Sequence, residues 1–113
     1  MALNAAAIQV GAFTIAAAIP YLSLHTALPD VNGANQSSAP RVPSGLTATA
    51  GVISTSNRSF VGGVASGPAT HVGFWSALTG GIFYGYQALI GDNTFNSLGQ
   101  FTITTLTLTG SSS

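Results

Sequence analysis

The chain has 113 residues, room for one domain built around one core. Hydrophobic residues make up 46%, an ordinary share, but charged residues make up only 4%, against about 25% in typical soluble domains. Asp30, Arg41, Arg58 and Asp92 are the whole charged set, and two scattered arginines exclude the phosphate-neutralising surface on which nucleic-acid binding depends. The absence of cysteine removes disulfides and thiolate sites, so stability must come from packing or assembly. Nothing on such a surface repels its copies. It suits a membrane or a repeating assembly in which most of the surface meets another protein.

Residues 2–19 form an Ala-rich, uncharged run closed by Pro20. A signal peptide would need a basic residue near Met1, and none is there. A membrane span would be interrupted by Asn4, Gln9 and Thr14, which makes membrane association the disfavoured reading. Spacing of three or four among Ala6, Val10 and Phe13 predicts a short packed helix within residues 1–20, with an extended arm as the alternative and Gly11 as an end or kink. Ile8 and Phe13 are candidate subunit contacts on this segment.

Tyr21–Thr26 alternates in the manner of a strand, with Tyr21, Ser23 and His25 on one face and Leu22, Leu24 and Thr26 on the other. Residues 27–40 are polar and rich in turn formers, and read as a long exposed loop. The wider 27–43 segment is expected to reach a neighbouring subunit, with Asn32, Asn35 and Arg41 as contacts. Residues 46–54 form a weak strand region, Thr55-Ser56-Asn57-Arg58 reads as a turn, and Ser59–Ala65 as a strand with Gly62-Gly63 marking a bulge or close backbone approach. The Thr70–Leu89 stretch holds the one Trp and reads as a central hairpin turning at Leu78-Thr79-Gly80-Gly81. In it His71, Gly73 and Trp75 share a row, as do Ile82, Tyr84 and Tyr86. Thr94–Asn96 reads as a short edge. Phe101–Thr109 is a final strand whose apolar members change face near Thr105, and residues 111–113 are a tail. The pattern predicts an all-β domain: a small antiparallel β-sandwich or barrel with a short N-terminal helix or arm.

Chemistry is sparse. His25 and His71 with Asp30 or Asp92 could begin a metal or acid–base site, but such a site needs at least three converging ligands, and Cys and Glu are absent. A histidine filling a half-buried strand position and bonding a backbone carbonyl is the simpler reading. No nucleophile-elbow pattern surrounds a serine, and the glycines of GGIFYG and VGGV precede neither a helix nor a lysine. No catalytic, cofactor-binding or metal-binding residue is therefore assigned, and no cofactor is expected. Trp75, Tyr84 and Tyr86 could form a platform for a ligand such as a sugar. Core or subunit-interface anchoring is the favoured role, since Trp and Tyr are enriched there.

The order of these features resembles a family of small virion proteins of tailed bacteriophages of actinobacteria and related hosts, variously labelled capsid decoration, minor tail or tail fibre. The resemblance spans nearly the whole chain. It is carried by Leu24-His25-Thr26 with Pro29 and Gly33-Ala34-Asn35, and by His71 through Trp75 with Thr79-Gly80-Gly81. Members tend to carry acids at three positions where this chain has Leu28, Gln36 and Ser76, which argues against a role for those acids, metal binding included. The resemblance implies a non-enzymatic virion structural protein. The expected form is a homo-oligomeric, for example trimeric, decoration subunit clamping the major capsid protein. A minor tail or tail-fibre protein joined to tail proteins is the alternative.

Overall fold

Ala-rich sequence with no β-branched run favours the helix α1, Ala5–Ala18, which Pro20 stops. The computed structural model describes residues 5–91 and 93–108, so Asp92 and the 111–113 tail lie outside the described residues. Ala12 and Ile19 are buried, while Gly11, Thr14 and Ile15 face outward. Gln9 fixes the helix to the domain: its Nε2 donates to Ala48 O at 2.8 Å and its Oε1 accepts from Gly51 N at 2.6 Å. No helix among the described residues is long and apolar enough to cross a membrane.

Seven strands follow: β1 Tyr21–His25, β2 Val42–Pro43, β3 Thr47–Thr49, β4 Val52–Phe60, β5 His71–Trp75, β6 Phe83–Ala88 and β7 Phe101–Leu108. They form two antiparallel sheets, ordered β2-β1-β5-β6 and β3-β4-β7. Leu22, Leu24, Val72 and Phe74 of the first sheet meet Phe60, Ile103 and Leu106 of the second, with Phe95 and Ile19 filling the ends. This is the small antiparallel sandwich with a short N-terminal helix that the strand pattern predicts.

Three expectations need correcting. Residues 55–58 are not a turn; they lie in the middle of β4, the longest strand. The reversal comes at Ala50 and Gly51, both at positive φ (50° and 79°), which suits a tight hairpin turn. Asn57, at φ 53°, takes up the irregularity instead: Ser56 pairs with Thr105 and Arg58 with Ile103, and burial on β7 shifts phase between Ile103 and Leu106. The strand expected over Ser59–Ala65 ends at Phe60, because Gly63 turns away to donate to Gly99 O at 2.9 Å.

The third correction concerns residues 27–40. β1 and β5 are buried on both faces, which two sheets alone cannot achieve. The segment after β1 folds back over the outer face as a third layer. On that face Gly33 lies against the Trp75 indole and Ala34 O against His25 Nδ1, while Thr26 N donating to Asn35 O at 2.9 Å and Ser37 N to Leu24 O at 2.8 Å tie residues 35–37 to the edge of β1. Within the segment Pro29, Gly33, Ser37 and Ala39 are buried and the rest of 27–40 is exposed, so the loop is exposed as expected but lies along the domain as a cover. Ser37 Oγ is buried there with no hydrogen-bond partner. A buried unpaired hydroxyl carries an uncompensated desolvation cost, so Ser37→Ala should leave stability unchanged or raise it by about 1 kcal/mol. A urea midpoint that stays level or rises at constant m-value is the expected reading; a clear fall would reveal a bond to that hydroxyl.

Candidate functional site

In the β1–β5 register Ser23 lies opposite Gly73 and His25 opposite His71. Gly73 leaves a gap on the outer face: a Cβ built there would lie 2.5 Å from both His25 Nε2 and Ser23 Oγ. A polar chain fills the gap. His25 Nδ1 is 2.8 Å from Ala34 O, and a carbonyl can only accept, so Nδ1 carries the proton. Nε2 then accepts from Ser23 Oγ at 2.6 Å, and Ser23 Oγ accepts from Trp75 Nε1 at 2.8 Å. Every polar atom in this chain is satisfied in one orientation, which pins the cover to the sheet.

A serine bonded to a histidine resembles a nucleophile pair. Ser23 and His25 are both 0% exposed, however, and no substrate atom can reach them. In this arrangement they tie the cover to the sheet: His25 bonds a backbone carbonyl, as in the simpler reading of a strand histidine, but is fully rather than half buried. Among the described residues no group of three or more His, Cys, Asp or Glu gathers to hold a metal.

Arg41 closes the other end of the cover. Its guanidinium sits 3.5 Å from the Trp75 ring centroid, and Nη1 donates to Ala77 O at 2.9 Å and Gly80 O at 2.8 Å. It joins the end of the cover to the β5–β6 turn.

Outside this layer a cleft of about 390 Å³ opens between the Pro29–Val31 turn and β6, lined by Phe83, Tyr84, Gly85 and Tyr86. A β-bulge shapes it: Trp75 pairs with Phe83 and Phe74 with Gly85, leaving Tyr84 as the extra residue, while Gly85 sits at φ 144°. Tyr84 is 51% and Tyr86 45% exposed. Asp30 Oδ1 accepts from Asn32 N at 2.8 Å and Ala34 N at 3.2 Å, bonds that hold its carboxyl below the ordinary value of 3.8.

Residues 2–111 match the family described as Podophage GP4 fiber I protein gp80. The chain belongs to this family. Membership places it among bacteriophage fibre proteins, a structural class, and favours the tail-fibre alternative over the decoration subunit. No curated protein matches the chain.

Against this fibre-protein background the predicted contacts divide sharply. Ile8 and Phe13 fall on α1, but their side chains lie outside the described residues. Trp75, expected as a core or subunit-interface anchor with a sugar platform as the lesser reading, is 7% exposed and belongs to the core. Arg41, expected at a subunit contact, is half-buried and donates from Nη1 to two carbonyls of its own chain. Asn32 and Asn35 are exposed but shape the cover: Asn32 N bonds Asp30, and Asn35, at φ 63°, donates from Nδ2 to Leu28 O at 3.0 Å. Tyr84 and Tyr86 alone of the aromatic trio present rings outward. Ser23 and Asp30 were missed as organising residues. The visible signal for the first was a Ser-x-His row facing a glycine on the partner strand.

The buried chain makes stability depend on pH. Burial lowers the His25 pKa from 6.5, the Ala34 bond opposes this, and the nearby His71 and Arg41 lower it further. Folding therefore prefers neutral His25, and the unfolded chain binds more protons below about pH 6.5. Stability should be level above that pH and fall as pH drops toward the folded-state value. Asp30 titrates below 3.8 and leaves this window clear. Urea melts across the window check it: a wild-type profile as flat as that of His25→Gln would contradict the assignment.

Proposed function

We propose that the chain is a non-enzymatic structural subunit of a fibre attached to the tail of a podophage-type virion, working in contact with tail proteins. The family match over residues 2–111 carries the reading. Decoration of the capsid surface is the reading it supports less well. Labelling this subunit in intact particles should place it at the tail; label spread over the shell would reinstate decoration.

Within the fibre the subunit associates with copies of itself. β7 is an outermost strand of its sheet and carries neither a charged residue nor a proline, two usual guards against edge-to-edge pairing, whereas β6, at the edge of the other sheet, is interrupted by its bulge. β2, at the opposite edge, is short and carries Pro43. Light scattering on the purified chain should give a mass above the monomer. A monomer at every concentration would argue against self-association.

A further inference from the structure

We propose that the cleft between the Pro29–Val31 turn and the bulge of β6 is a binding site for a neutral saccharide. The proposal goes beyond the fibre reading and does not rest on it: the one is tested by binding to the purified chain, the other by location in the particle.

The lining has the two surfaces that a sugar ring requires. A pyranose presents an apolar face of C–H groups and a rim of hydroxyls. Tyr84 and Tyr86, about half exposed, offer apolar ring surface ending in a phenol that can both donate and accept. Asp30 offers a carboxylate, and both of its backbone hydrogen bonds fall on Oδ1, leaving Oδ2 as an acceptor for hydroxyls.

These walls are set before any ligand arrives. Phe83 is held between Trp75, at a ring-centroid distance of 4.9 Å, and His25, at 6.0 Å. Tyr86 packs edge-on against His71 at 5.6 Å. Two N–H groups fix Asp30. Phe83, Tyr86 and Asp30 therefore have little side-chain freedom to lose on binding, while Tyr84, 51% exposed, has to be ordered by the ligand.

Charge and shape narrow the ligand class. Asp30 is the one charged residue lining the cleft, which disfavours phosphates, sulfates and acidic sugars. The volume of about 390 Å³ lies at the small end of ligand sites. An extended peptide added as a strand would need a regular edge, and the bulge at Tyr84 and Gly85 interrupts this one.

The test is a titration of the ¹⁵N-labelled full chain with a panel of uncharged mono- and disaccharides of glucose, galactose, rhamnose and N-acetylglucosamine. Amide shifts should cluster at 29–31 and 83–86 for at least one of them. Tyr84→Ala and Tyr86→Ala should each weaken that binding about tenfold, while Tyr84→Phe, which keeps the ring, should retain most of it. Asp30→Asn preserves an oxygen for the Asn32 and Ala34 bonds while removing the charge, so it should weaken binding without loosening the cover. No shift with any saccharide at millimolar concentration would overturn the proposal. So would shifts elsewhere on the domain, or recognition of an uncharged extended peptide in place of every sugar.

Discussion

Truncating Trp75 to alanine is expected to cost about 3–5 kcal/mol, the range for emptying a buried large aromatic site. Several supports fail together. Arg41 loses the ring beneath its guanidinium, Ser23 Oγ loses its donor, and Phe83 loses its neighbour. Gly33, at φ 76°, is also left over a void, because it packs so close that an added Cβ would fall 2.6 Å from the indole. Native domains are stable by only about 5–15 kcal/mol, so this one change removes a large share of the margin. Trp75→Phe keeps most of the ring but not its N–H, and should cost less. Urea unfolding of the two variants separates packing from the hydrogen bond, and hydrogen exchange should show the 27–41 cover opening before the sandwich. A Trp75→Ala loss below about 1 kcal/mol would mean that the cover does not depend on the indole.

Gly99→Ala should be comparably severe, for a different reason. Gly99 is buried at φ 73°, and a Cβ there would be driven into the backbone carbonyl of Gly63. That contact cannot relax by a side-chain rotation, because Gly63 N donates to Gly99 O at 2.9 Å and holds the two segments together. The conformation alone costs a non-glycine residue about 1–2 kcal/mol, and the overlap adds about 1–3 kcal/mol. Gly91 supplies the control: it sits at φ 83° with nothing among the described residues within 4 Å of the added Cβ. Gly91→Ala should show the conformational cost alone, and the difference between the two melts isolates the backbone clash. Equal losses would mean that the Gly63 segment moves aside freely.

The sandwich was legible because alternation along Tyr21–Thr26, Thr70–Leu89 and Phe101–Thr109 reports directly which residues can share a core. The sequence misleads where turn chemistry and strand pairing compete. Ser56-Asn57-Arg58 has turn composition, yet Ser56 and Arg58 pair with β7 in one unbroken register, and Asn57 alone keeps the positive φ of a turn residue. Ala50 is an unremarkable turn former, yet it carries positive φ beside Gly51. The third layer was hidden for a stronger reason. A Ser-x-His row facing a glycine looks like a solvent face, and only the bonds to Ala34 and Trp75, distant in sequence, make it an interior. For the cleft, Tyr84 and Tyr86 were singled out from the start. The bulge in β6, which a period-two pattern does not reveal, puts Phe83 rather than Tyr84 opposite Trp75.

The way the arginines are used bears on how this molecule finds its place. Arg41 gives its N–H groups to Ala77 and Gly80, and Arg58 gives its own to Ser56 and Pro43. With its cations turned onto its own carbonyls and a net formal charge of zero, the domain projects little field beyond its surface. Encounters are then unsteered, and association should proceed at the slower rates of neutral partners, about 10⁵–10⁶ M⁻¹s⁻¹. The compensation is indifference to the medium: with little long-range attraction to screen, docking should run at nearly the same rate in dilute fresh water and in brine.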